Sequence, residues 1–143
     1  MGIITAICTS IEKGTAKTDV GKAELVVEHG IKGDAHAGGL SRQVSLLSLQ
    51  KINAFRTDEM KIEYGAFGEN IIVDGIDLAG LSIGTKLRCG QALLEITQKG
   101  KECHNRCAIY ERMGDCIMPT EGVFARVLHG GIIKNGDEIY AFQ

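Results

Sequence analysis

Nineteen glycines against a single proline constrain this chain more than any other feature of its 143 residues. The glycines recur every few residues between short Ile, Leu and Val runs, so long uninterrupted elements are few and frequent turns between short strands are expected. Ile3 to Ser10 reads as a first strand, Gly14 to Thr18 as a loop and Ala23 to Glu28 as a second strand. His29 to Ser48 carries Gly30, Gly33, Gly38 and Gly39 with two histidines, a glycine density that lets backbone approach a ligand or another strand, ahead of a third strand at Arg42 to Leu47. Ser48 is placed to cap a helix with Leu49, Ile52, Phe55 and Met60 at helical spacing. Asn70 to Val73, Gly84 to Gly90, Ala92 to Thr97, Val123 to Leu128 and Glu138 to Phe142 complete the strands, with tight turns at Asp74-Gly75, His129-Gly-Gly and Asn135-Gly-Asp. The βαβ alternation, GxGxxG and GxxxxGK[ST] are all missing, which disfavours nucleotide-binding folds of those kinds. The pattern predicts a mainly β (α+β) single domain over residues 1–143, a closed or nearly closed mixed β-barrel that hides its edges, with two or three short helices.

Composition then narrows the function. With 44% hydrophobic and 24% charged residues, the chain has the make-up of a folded globular domain. Sixteen basic against eighteen acidic residues give no general attraction to nucleic acid. No run reaches the roughly 18 apolar residues of a spanning helix, and the N-terminus lacks a basic n-region, so a cytoplasmic location without membrane contact is expected. In that setting the five cysteines are expected as reduced thiols.

The densest chemistry lies between Gln98 and Cys116, where three cysteines, one histidine and four basic side chains share nineteen residues. Cys103 precedes a helix-compatible run, Asn105 to Met113, and stands beside Lys101, His104 and Arg106. A helix N-terminus and neighbouring cations both favour thiolate, which makes Cys103 the leading reactive sulfur. The C-x3-C-x8-C spacing of Cys103, Cys107 and Cys116 matches structural zinc and iron-sulfur patterns poorly. Cys107 and Cys116 read as small buried hydrophobes, and Cys8 and Cys89 as core residues of strands.

Further candidates lie elsewhere. His36 and Arg42 sit where the glycine-rich loop meets a strand. Arg42 offers a planar fork for phosphate or carboxylate, although Asp34, His36 and Arg42 would serve equally to brace the loop. Glu69-Asn70 either orients a ligand or caps a strand. Lys101, Arg106, Arg112 and Arg126 suit an anion pocket near Cys103, or a solvated surface.

An ordered series of motifs over nearly the whole chain resembles the MOSC domain, also found at the C-terminus of molybdenum cofactor sulfurases. It comprises Gly30-Ile-Lys-Gly-Asp-Ala-His36, Arg42-Gln-Val-Ser-Leu46, Phe67-Gly-Glu-Asn-Ile71, Gly84-Thr-Lys-Leu87, Thr97-Gln to Cys103, and Gly122-Val-Phe-Ala-Arg-Val127 through Gly136-Asp-Glu-Ile139. Lys101-Glu-Cys-His-Asn-Arg-Cys107 and Gly114-Asp-Cys-Ile-Met-Pro119 are similar to the small stand-alone bacterial members. The resemblance implies a mixed β-barrel of the MOSC type and a role in molybdenum cofactor (molybdopterin) chemistry: carrying sulfur, binding the cofactor, or reducing N-hydroxylated compounds with a redox partner. The family cysteine falls on Cys103, as persulfide carrier or molybdenum ligand, although many members have proline where this chain has Glu102. Lys32, Arg42, Lys101 and Arg126 would contact the pterin phosphate, and His36 and Asn70 would orient the ligand. The partners implied are the cofactor itself or a sulfur-donor or acceptor protein. Sulfurases also carry a pyridoxal phosphate domain, but no Schiff-base lysine is expected here. A non-catalytic module that delivers cofactor or sulfur, and a structural zinc module, are the rival readings. Cys103 is expected to face the His29 to Ser48 loop across a barrel mouth.

Overall fold

The alternation of inward and outward apolar residues closes seven strands into a mixed barrel in a computed structural model, which describes residues 1–12, 15–39, 42–55, 63–100 and 121–143. Lys101, Cys103, His104, Arg106, Cys107, Arg112 and Cys116, with the helix expected over Asn105 to Met113, lie outside the described residues, as does Met60. The strands are β1 (Gly2–Thr9), β2 (Thr18–Asp19), β3 (Lys22–Val26), β4 (Gly30–Ile31), β5 (Val44–Ser48), β6 (Ile71–Asp74), β7 (Lys86–Cys89), β8 (Ala92–Lys99), β9 (Val123–His129), β10 (Gly131–Lys134) and β11 (Glu138–Phe142). Around the barrel they run β1-β11-β7-β8-β9-β5-β6 and back to β1.

All neighbours in the barrel are antiparallel except β5 and β6, paired Leu46 to Ile71 through Ser48 to Val73. A parallel pair needs a long crossover. Here that crossover begins with the helix α1 (Leu49–Phe55). Val44, Leu46, Ile71, Val73, Leu94, Ile96, Ala125 and Val127 belong to one buried cluster that fills the barrel. A second cluster, Ala6, Cys8, Leu47, Ile52, Phe67, Ile72 and Phe124, lies on the outer face beneath α1 and the 63–70 loop. Strand β5 is therefore buried along its whole length, which explains its near-continuous apolar reading.

Three strands were hidden from sequence pattern: the two-residue β2, which pairs with β1 and begins at Thr18 where the sequence suggests a loop, and β4 and β10. Strands β4 and β10 flank β3 in a separate three-stranded sheet, one inside the glycine-rich loop and the other between the last two turns. Both are short, two and four residues, and they add Ile31 and Ile133 to the barrel interior. Ser48 directly precedes α1, yet its hydroxyl donates to Ile76 O at 2.7 Å and accepts from Leu78 N at 3.0 Å. It fastens β5 to the 3-10 turn Leu78–Gly80 rather than capping α1.

Candidate functional site

One row of residues crosses the outer face at a common register: Cys8, Asn70, Ser45, Phe124 and Gln98, from β1 across the start of β6 to β5, β9 and β8. A bulge sets the last member. Ile96 pairs with Ala125 and Gln98 with Phe124, so two residues of β8 answer one step of β9. The extra residue, Thr97, donates its hydroxyl to Phe124 O at 3.2 Å, and Gln98 is thereby placed opposite Phe124.

Arg42, just before β5, reaches this row. Its Nε donates to Gln98 Oε1 at 3.2 Å, and its guanidinium carbon lies 5.8 Å from the centroid of the Phe124 ring, within cation–π range. Gln98 Nε2 in turn donates to Gly100 O at 2.8 Å. Gly100 N donates to Gly122 O at 2.6 Å, so the two ends of the 101–120 connection are tied together beside Arg42 and Gln98. The described ends of the cysteine-bearing connection and of the glycine-rich loop therefore touch. Among the described residues the terminal amino groups of Arg42 have no partner, and the side chain is exposed.

Arg126 is placed differently. Its Nε donates to Glu95 Oε1 at 3.1 Å, and its Nη1 lies 3.5 Å from Glu28 Oε1. Gln43 accepts from Val127 N at 3.0 Å and donates to Glu28 Oε2 at 3.4 Å, joining the loop to the same network. Asn70 is wholly buried, with Oδ1 accepting from Ser45 N at 2.9 Å and Nδ2 donating to Cys8 O at 2.9 Å. Those bonds tie β1 to β5 where β6 begins. Lys32 is exposed on the turn after β4, with its backbone N–H bonded to Glu24 O.

His36 depends on an ion pair that sequence pattern did not reveal. Lys17 Nζ and Asp34 Oδ1 are 2.8 Å apart, and both side chains are fully buried. Asp34 also accepts from Ser10 N and His36 N at 3.1 Å each, and Lys17 donates to Ser10 Oγ at 3.1 Å. Burial alone would raise the Asp34 pKa. The Lys17 ammonium and the two backbone N–H bonds more than offset that and hold it below the usual carboxylate range. His36 Nδ1 lies 4.0 Å from Asp34 Oδ2, with the imidazole about a third exposed.

Glu69 is a second buried carboxyl, accepting from Gly65 N at 3.1 Å and Phe67 N at 3.0 Å. Burial pushes its pKa up to about 7, against the opposing pull of those N–H bonds and of Lys17. Gly65 sits at φ +93°, where a Cβ would fall 2.1 Å from Lys17 O, so only glycine lets the loop lie against the Lys17 backbone. Cys8 and Cys89 are fully buried strand residues. Burial pushes the Cys89 thiol up to about 11, and burial with nearby Glu69 and Asp19 raises Cys8 as well. Neither is a thiolate near neutral pH.

Gln98, Phe124 and Lys17 are the side chains that sequence reasoning missed. Lys17 reads as an ordinary loop lysine, and the bulge that places Gln98 has no sequence signature; Phe124 reads as one more apolar strand residue. A shallow depression lined by Arg88, Gly90, Gly136, Asp137, Glu138 and Tyr140 contains none of the candidate residues. Among the described residues no group of three or more His, Cys, Asp or Glu is arranged to hold a metal ion. No described helix is long and apolar enough to cross a membrane.

Comparison with known proteins gives the chain its family. Among solved structures, the YuaD protein of Bacillus subtilis superposes with a TM-score of 0.80 at 20% identity, covering 100% of this chain and 98% of that one. YiiM of Geobacillus stearothermophilus gives 0.76 at 19%, covering 100% and 76%. YiiM of Escherichia coli gives 0.69 at 19%, covering 99% and 70%. At these identities the likeness speaks for the fold. A search of curated proteins finds no match. The MOSC domain model matches residues 33–140, three quarters of the chain, and the chain therefore belongs to the MOSC domain family, whose members are associated with molybdenum cofactor chemistry.

Proposed function

We propose that the protein handles the molybdenum cofactor or its sulfur through the thiolate of Cys103, as a persulfide carrier or a molybdenum ligand. The observation that carries this reading is the Arg42–Gln98 contact. It sets a guanidinium fork, open among the described residues, at the root of the connection that bears Cys103. The fit to a pterin cofactor is uneven. Arg42 is suited to the phosphate, because its terminal N–H groups are unengaged among the described residues and such a fork recognises oxyanions bidentately. Arg126 already sits between two carboxylates and is less suited. Lys32 and Lys101 would add charge, and His36, on its Asp34 brace, would orient the ligand from the loop side, whereas Asn70, wholly buried with both ends of its amide bonded to backbone, is placed to hold the strands and not the ligand.

When bound, the cofactor would supply a molybdenum centre for two-electron chemistry. The chain would supply the sulfur and the anion contacts. As a carrier, Cys103 thiolate attacks the outer sulfur of a donor protein's persulfide, the donor thiolate leaves, and the sulfur passes on by the same exchange. Soft thiolate also suits molybdenum ligation, which would allow reduction of N-hydroxylated compounds if a redox partner supplies the electrons.

The test is expression in cells that make the cofactor, with bound pterin and cyanide-labile sulfur measured in the wild type and Cys103→Ala. Pterin or labile sulfur in the wild type, with labile sulfur lost in the variant, is expected. A wild-type protein carrying neither would refute the proposal. Turnover of an amidoxime with an electron donor would separate a reductase from a delivery module that binds without turnover.

A further inference from the structure

We infer that Gln98 is a positioning residue that holds the Arg42 guanidinium over Phe124 with its terminal amino edge turned away from Gln98, ready for an oxyanion. The inference rests on the proposed function for the identity of that oxyanion, the cofactor's phosphate monoester.

The argument begins with the backbone. The extra residue in β8 sets Gln98, instead of Thr97, opposite Phe124. Gln98 is then fixed at both ends of its amide. Its NH2 donates to Gly100 O at 2.8 Å, which leaves Oε1 to accept from Arg42 Nε at 3.2 Å. A long arginine side chain on a surface ordinarily samples many rotamers and loses that freedom on binding. Here the amide and the aromatic face already restrict it. Because Gln98 takes Nε, the Nη1–Nη2 edge is left without a partner among the described residues, and a planar fork with that edge open matches two phosphate oxygens. Gln98 is neutral, so it orients the cation without cancelling its charge, whereas a carboxylate there would hold Arg42 as firmly and weaken its attraction for an anion.

The experiment uses full-length protein labelled with nitrogen-15, for which the Arg42 Nε–H resonance, assigned by its absence from Arg42→Ala, reports the bond to Gln98 directly. The same variants, expressed in cofactor-making cells, are assayed for retained pterin by its fluorescence after oxidation. Wild-type protein should show a dispersed Arg42 Nε–H signal protected from solvent exchange. Gln98→Leu should lose that protection and retain roughly tenfold less pterin at an unchanged melting temperature. Gln98→Glu, which keeps the acceptor, should keep the protected signal. An unprotected Arg42 Nε–H in the wild type, or full protection in Gln98→Leu, overturns the positioning role whatever the pterin content. Unchanged pterin in Gln98→Leu alongside a loss in Arg42→Ala overturns it while leaving the Arg42 contact standing. Pterin missing from the wild type removes the ligand and refutes the proposed function, while the nitrogen-15 signal still decides whether Gln98 holds Arg42. Should Gln98→Leu fold poorly, Gln98→Met replaces it with the same expectations.

Discussion

Replacing Glu69 by glutamine removes a carboxyl that is fully buried, and its effect should depend on pH in a defined direction. Burial raises the folded-state pKa from an ordinary 4.5 to about 7. Between those values the folded protein binds a proton that the unfolded chain does not. The stability this proton contributes is complete below about pH 4.5 and is lost as pH rises through 7. At about 1.4 kcal/mol per pH unit, the rise corresponds to about 3 kcal/mol. Glutamine cannot titrate, so subtracting the variant's urea-unfolding free energy from that of the wild type isolates the group from every other carboxylate. The subtraction should fall by about 3 kcal/mol from pH 4.5 to 8, with most of the change between 5 and 7. A constant offset will be superimposed, because the substituted side-chain amide has only one oxygen for the Gly65 and Phe67 N–H groups, and a buried orphan donor costs about 1–3 kcal/mol. The slope carries the test. A flat difference, or one that grows as pH rises, would mean that the two N–H bonds and Lys17 outweigh burial, and the reasoning would fail.

Lys17→Met should destabilise the protein by about 3–5 kcal/mol in urea melts, since it leaves the buried Asp34 carboxylate without its cation; Lys17→Met with Asp34→Leu should cost less than Lys17→Met alone. Gly65→Ala should lower stability by at least about 2 kcal/mol, read as a drop in melting temperature, because it combines a left-handed φ with a Cβ 2.1 Å from Lys17 O. Asn70→Ala should cost about 2–4 kcal/mol by chemical denaturation, through the Cys8 carbonyl and Ser45 N–H it leaves unbonded.

The barrel was legible because its strands are short, β-rich and separated by glycine, and because each face is read at period two. Strand β1 shows where that reading breaks: the register shift between Ile4 and Ala6 lets Ile4 and Ile7 both point inward while Ala6 and Cys8 join the outer cluster. A bulge of this kind leaves hydrophobicity unchanged, so it cannot be seen without the partner strand. Strands β4 and β10 were missed for a related reason, since two to four residues pairing with β3 carry no periodicity of their own. Of the site, Arg42 and His36 could be singled out by residue type. What determines their surroundings is long-range: Gln98 is 56 residues from Arg42, and Lys17 is 17 from Asp34. Sequence order alone does not bring such partners together.

Arg42 and Arg126 show why those partners matter more than residue type. By composition the two arginines are equivalent, and both lie close to the row that crosses the outer face. Arg126 is flanked by Glu28 and Glu95, so its surroundings are locally acidic and an incoming anion meets two carboxylates before it meets the cation. Arg42 is braced by the amide of Gln98 and the ring of Phe124, neither of which bears a formal charge. Among the described residues no carboxylate is paired with Arg42, at the point where Gly100 and Gly122 bring the ends of the cysteine-bearing connection together. In these surroundings Arg42 is better placed than Arg126 for the proposed oxyanion, and Cys103 follows Gly100 by three residues in the sequence.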